Sequence, residues 1–147
     1  MRWLAVPMLT AVVLAGGDIT EAIKKDRTAL QGTWKVTASE QFGEKVPPED
    51  IADLFLIFKG DAIHIKEGGK TEEKFGFLLD PSKKPKEIDL TIKFGPKRGQ
   101  VDRAVYEISG DTARICIQTD KDAPRPRDFA SRAGTKTWLV VLQRTKD

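Results

Sequence analysis

Apolar and polar residues alternate along most of this chain, and the alternation begins at Thr33. In "TWKVTASE" a period of two places Trp34, Val36 and Ala38 on one face. That period is the signature of a half-buried strand. "AIHIKE" puts Ile63 and Ile65 on one face, with His64 and Lys66 on the other. "EKFGFLLD" groups Phe75, Phe77 and Leu79. "EIDLTIKF" is the cleanest case, with Ile88, Leu90, Ile92 and Phe94 inward and Asp89, Thr91 and Lys93 outward. "DRAVYEIS" groups Ala104, Tyr106 and Ile108, and "TARICIQT" groups Ile115 and Ile117. "TWLVVLQR" closes the series with Trp138, Val140 and Leu142 on one face, while "LFLIFK" (Leu54 to Lys59) is a continuous apolar run. These segments predict about eight strands.

The connections are short and rich in turn residues. "KGD" at Lys59 to Asp61, "EGGK" at Glu67 to Lys70, "FGPKRGQ" at Phe94 to Gln100 and "SGD" at Ser109 to Asp111 read as hairpin tips. Strands joined by such turns run antiparallel. A run of hairpins is an up-and-down meander, and closing it into a barrel removes its exposed edges. The expected fold is therefore all-β, an antiparallel up-and-down barrel of about eight strands. "VPPEDIADL" interrupts the meander early. Pro48 suits a first helical turn, and Glu49 and Asp50 favour the positive end of a helix, so one short helix is expected after the first strand. The last connection, "DKDAPRPRDFASRAGTK", is the longest and least regular.

The start of the chain follows a different rule. "MRWLAVPMLTAVVLAGGD" has a positive charge at Arg2, an apolar run and then small residues at Ala15, Gly16 and Gly17. That is the layout of a secretory signal peptide over residues 1–17, with a cut that leaves Asp18 first. The run is shorter than the roughly 20 apolar residues a membrane span needs, so no stable span is expected after cleavage. "LAGG" resembles a lipoprotein cleavage box, but Gly17 stands where the acceptor cysteine would be. The expected location is periplasm, cell envelope or extracellular space. Residues 18–28 read as a polar linker or short helix, and 29–147 as the barrel domain.

Composition narrows the function. With 147 residues, 39% of them hydrophobic and 32% charged, the chain fits one soluble domain with a core. A net charge of +3 and a pI near 9.0 are only mildly basic. The cations are interleaved with acids and not with aromatics, so no nucleic-acid partner is expected. Cys116 is the single cysteine, which excludes an internal disulfide. Its parity puts it on an outer, partly polar face, as a quiet structural thiol. His64, the single histidine, also faces outward. There is no nucleophile elbow, phosphate-cradling loop or metal-spaced histidine pair. Enzyme chemistry, a cofactor and a metal are accordingly not expected.

"LQGTWKV", "FKGD", "LDPSKKPKEIDL", "YEISGDTARIC", "RPRDFAS" and "LVVLQR" occur in that order. In combination they resemble a large planctomycete family of uncharacterised secreted proteins with a lipocalin-like domain, over roughly residues 29 to 145. The resemblance implies an exported barrel and carries over no catalytic or binding residue. Lipocalins bring a Gly-x-Trp into the first strand and a basic residue near the end of the last, and Gly32, Trp34 and Arg144 are similar to that set. The lipocalin Thr-Asp-Tyr motif is absent. First and last strands become neighbours on closure, which would lay Arg144 over Trp34 as a barrel plug.

One segment invites a binding role. "PRPRDF" puts Arg125, Arg127 and Phe129 in the long loop, expected at one barrel end, where the arginines suit a carboxylate or phosphate. The structural alternative tucks Phe129 under the barrel as a lid, with the arginines solvated or paired with Asp128. Two functions follow. One is a binding domain taking a small apolar or amphipathic ligand inside the barrel. The other is a filled barrel acting as a protein-interaction or cell-envelope structural module, with another envelope protein as partner. The chain is read as a monomer.

Overall fold

Alternating segments separated by tight turns can bury their apolar faces together by curling into one closed sheet. The computed structural model describes residues 15–146, so the expected signal peptide over residues 1–17 lies outside them except for its last three residues. A helix, α1 (Ala15–Leu30), precedes the strands. The strands are β1 (Gly32–Gln41), β2 (Glu44–Lys45), β3 (Leu54–Lys59), β4 (Ala62–Glu67), β5 (Lys70–Asp80), β6 (Lys86–Ile92), β7 (Val101–Ser109), β8 (Thr112–Gln118) and β9 (Thr137–Arg144). A 3-10 turn, Pro48–Asp50, stands after the first hairpin, at the place predicted for a short helix.

All neighbours are antiparallel, in the order β2-β1-β3-β4-β5-β6-β7-β8-β9, and β1 also pairs with β9. That last pairing closes an eight-stranded ring, with β2 as a small arm outside it. The seam runs from Trp34↔Arg144 to Gln41↔Trp138. The interior is filled by the predicted apolar faces, including Leu56, Phe58, Phe77, Ile88, Leu90, Ile115 and Leu142. Phe58 and Phe77 meet edge to face, 5.5 Å apart, a favoured aromatic geometry.

Four expectations change in three dimensions. A bulge between Val36 and Ala38 inserts one residue into β1. The extra residue flips the parity, so Ala38 turns outward and Ser39 is buried. Phe94 lies past the end of β6, in the turn, and is 58% exposed and not inward. Residues 18–28, expected as a polar linker or short helix, are helical as part of α1, and what changes is their role, because α1 closes one barrel end. Leu30 is fully buried there, and Asp26 accepts hydrogen bonds from Tyr106 Oη (2.7 Å) and Lys86 Nζ (2.9 Å).

The fourth change concerns the long β8–β9 connection. It does not cap a barrel end; it lies as a strap on the outer wall. Phe129 packs there on Val105, Cys116 and Leu139, a second small core outside the barrel. Cys116 does point outward, but it is fully buried beneath the strap and not on a polar surface.

Candidate functional site

The two ends of the barrel differ because only one receives α1. A helix leaves its last carbonyls without partners. Here Trp34 Nε1 donates to Leu30 O at 2.8 Å, and Arg144 Nη1 donates to Gln31 O at 2.8 Å. Arg144 Nη2 donates to Ala29 O. A cation at a helix C-terminus also complements the dipole. The guanidinium lies 4.3 Å from the centre of the Trp34 ring, and its Nε is 3.4 Å from Asp111 Oδ1. Gly32 has a φ of +117°, and a Cβ there would meet Arg144 Nη1 at 3.2 Å. The Gly-x-Trp set therefore sits at the closed end as an element of structure.

The opposite end is open. β1, β3, β4, β5, β9 and the 3-10 turn frame a recess of about 420 Å³. Its apolar lining is Val46, Ile51, Leu54, Ile65 and Trp138, and its carboxylates are Asp50, Glu67, Glu72 and Glu73. Trp138 Nε1 donates to Ser39 Oγ at 2.6 Å, and Ser39 Oγ donates to Leu139 O at 3.0 Å, so the bulge orients the indole. Trp138 and Ile65 also line a void deeper inside, bounded only by apolar side chains and about 20 Å³ in size. Ligand pockets are typically about 300–1,000 Å³. The barrel interior is filled, and the concavity at its open end is the mouth.

The mouth is electrostatically tense. Asp102 has inward parity with Ala104 and Tyr106 and is 7% exposed. Burial pushes its carboxyl above the usual range, against a hydrogen bond from Gln100 Nε2 (2.8 Å) and the nearby charge of Lys97. Glu73 shares parity with Phe75 and Phe77; partial burial, then Asp102 and Glu72, raise its pKa as well. Desolvation and like charge act in the same direction on Glu73.

Arg125, Arg127 and Phe129 do not converge. Arg125 Nη1 donates to Ile88 O (3.2 Å) and Ala104 O (2.9 Å), and the guanidinium sits beside Glu87 and Asp89. Its Nη2 is 2.7 Å from Asp89 Oδ1 but poorly aligned, an ion pair and not a hydrogen bond. Arg125 thus fastens the strap to the wall. Arg127 is exposed. Phe129 is covered by the Arg114 guanidinium, 4.4 Å from its ring centre, and edges a recess of about 260 Å³ that neither Arg125 nor Arg127 lines. Asp128 pairs with Arg132, at 2.9 and 2.7 Å.

The mouth carboxylates escaped the sequence reading, although a signal was present. Asp102 occupies a buried, inward register position near the start of β7, where a polar residue has no place in a filled core, and Glu73 shares the parity of Phe75 at the exposed, mouth-side part of β5. Among the described residues no three His, Cys, Asp or Glu side chains gather as a metal site, and no helix is long and apolar enough to cross a membrane. No family model matches this chain, and no curated protein matches it.

Proposed function

We infer that this protein is an exported, non-enzymatic, lipocalin-like binding module that takes a small amphipathic ligand at the open mouth of a filled barrel. The observation that carries this reading is the recess of about 420 Å³, floored by Trp138 and Ile65 and rimmed by four carboxylates. An apolar floor with a few convergent polar groups is the usual form of a small-molecule site. The apolar part of the ligand rests on the indole, and its polar end, cationic by charge complementarity, meets the rim. Export rests on the leader pattern of residues 1–17, and the likeness to the planctomycete secreted family accords with it. The interior ligand of the sequence reading moves to the mouth because a void of about 20 Å³ admits little more than a water molecule.

Native mass spectrometry on the protein, purified gently from its own cell envelope, tests this. The expected result is a monomer with a mass excess that disappears on denaturation and is missing from Trp138→Leu. A bare monomer would turn the reading to the second function, a filled barrel that works through its outer surface.

A further inference from the structure

The outer wall carries a recess that the mouth does not account for. It measures about 550 Å³ and lies between the β3–β4 turn and the β6–β7 connection. Lys74, Lys93 and Arg98 line it beside Leu78 and Phe94, together with one acid, Asp61.

Several features here work against the barrel considered alone. Lys74 and Lys93 lie side by side where the β5–β6 register runs on past Phe75↔Ile92, and Lys93 N donates to Lys74 O at 3.0 Å. Like charges placed side by side across strands repel. Among the described residues neither lysine nor Arg98 enters an ion pair. Gly76 sits inside β5 without a positive φ, so its backbone does not demand glycine. Glycine in a strand interior weakens it and often marks a close approach. A Cβ at Gly76 would stand 2.9 Å from Lys93 Cε and 3.4 Å from its Nζ, so the glycine is the slot in which Lys93 lies. Leu78 is 67% exposed beside these cations. Unpaired cations grouped with exposed apolar side chains in one concavity are complementary to an anion that has an apolar body.

We propose that this groove binds a small amphipathic anion. Its carboxylate, sulfonate or phosphate head lies among Lys74, Lys93 and Arg98, and its aromatic or aliphatic body lies on Phe94 and Leu78. The recess has the size of a small-molecule site. The site is separate from the mouth and does not depend on the function assigned to it.

The test uses the full chain and two fluorescent probes. 1-Anilinonaphthalene-8-sulfonate is the anion, and N-phenyl-1-naphthylamine is its neutral counterpart. The anion should bind saturably and at least about tenfold more tightly than the neutral probe, with the margin shrinking as salt rises. Lys74→Gln with Lys93→Gln should weaken the anion at least about tenfold. Gly76→Ala, which keeps every charge but fills the slot, should weaken it about threefold without lowering the melting temperature. Trp138→Leu should leave it unchanged. The proposal is overturned if the double lysine variant binds the anion as the parent does, if both probes bind equally, or if Trp138→Leu abolishes binding, which would place the probe in the mouth.

Discussion

Gly32, Trp34 and Arg144 divide one task, closing the barrel over the C-terminal end of α1. The ring supplies apolar volume, its Nε1 satisfies Leu30 O, and Arg144 reaches two further carbonyls while covering the ring face. Truncating a buried aromatic removes transfer energy and leaves a cavity, so Trp34→Ala should cost about 3–5 kcal/mol in urea unfolding. A loss well below about 1 kcal/mol would contradict the plug. Arg144→Lys is not a mild change, because one ammonium cannot reproduce a planar fork that spans Gln31 O and Ala29 O. We expect it to cost about 1–3 kcal/mol in the same measurement.

At the level of elements, the strap decides the chemistry of the thiol. Strand parity sends Cys116 outward, toward solvent, yet Phe129 and the strap cover it. Burial pushes its pKa up to about 11, and its Sγ lies 3.7 Å from Ala130 O. Thiolate is the reactive form, so the folded protein should resist iodoacetamide at pH 8. Phe129→Ala removes the anchor and should raise the alkylation rate at least about tenfold, followed by intact mass, because local opening governs access. An unchanged rate would mean that the arginine clip at Arg125 holds the strap without the ring.

Across the whole molecule, the mouth leaves a mark on stability against pH. Asp102 and Glu73 have pKa values raised by folding. A carboxyl of this kind binds its proton more tightly in the folded state, so stability falls as pH rises from the unfolded pKa through the folded one. Asp80, held low by its hydrogen bonds from Ser82, acts in the opposite sense and loses its contribution as pH falls. Asp102→Asn keeps an acceptor for Gln100 and removes the buried charge. It should be more stable than the parent at pH 7 and equal to it near about pH 3, read from urea midpoints across that range. A variant less stable at neutral pH would show that the carboxylate is held by more than Gln100. A fold that tolerates such a charge at its open end suits a mouth that meets a cationic group.

The sequence by itself determined the all-β barrel, its turns, the inward faces of most strands and the Gly-x-Trp and Arg144 set at one end. The turns and inward faces follow from local rules, since parity and turn chemistry need only near neighbours along the chain, whereas the Gly-x-Trp and Arg144 set was read from the lipocalin resemblance and the meeting of first and last strands. It could not determine the free volume, because barrel radius and side-chain filling emerge when all eight strands close together. The single-residue bulge that turned Ala38 out and Ser39 in arose at the β1–β9 seam, between strands about a hundred residues apart. The path of the strap was also a tertiary matter. Phe129 found apolar partners on the outer wall, and Arg125 found carbonyls and carboxylates of β6 and β7. The mouth carboxylates likewise came together from the 3-10 turn, β4 and β5, and the cations of the outer groove from β5 and the β6–β7 connection.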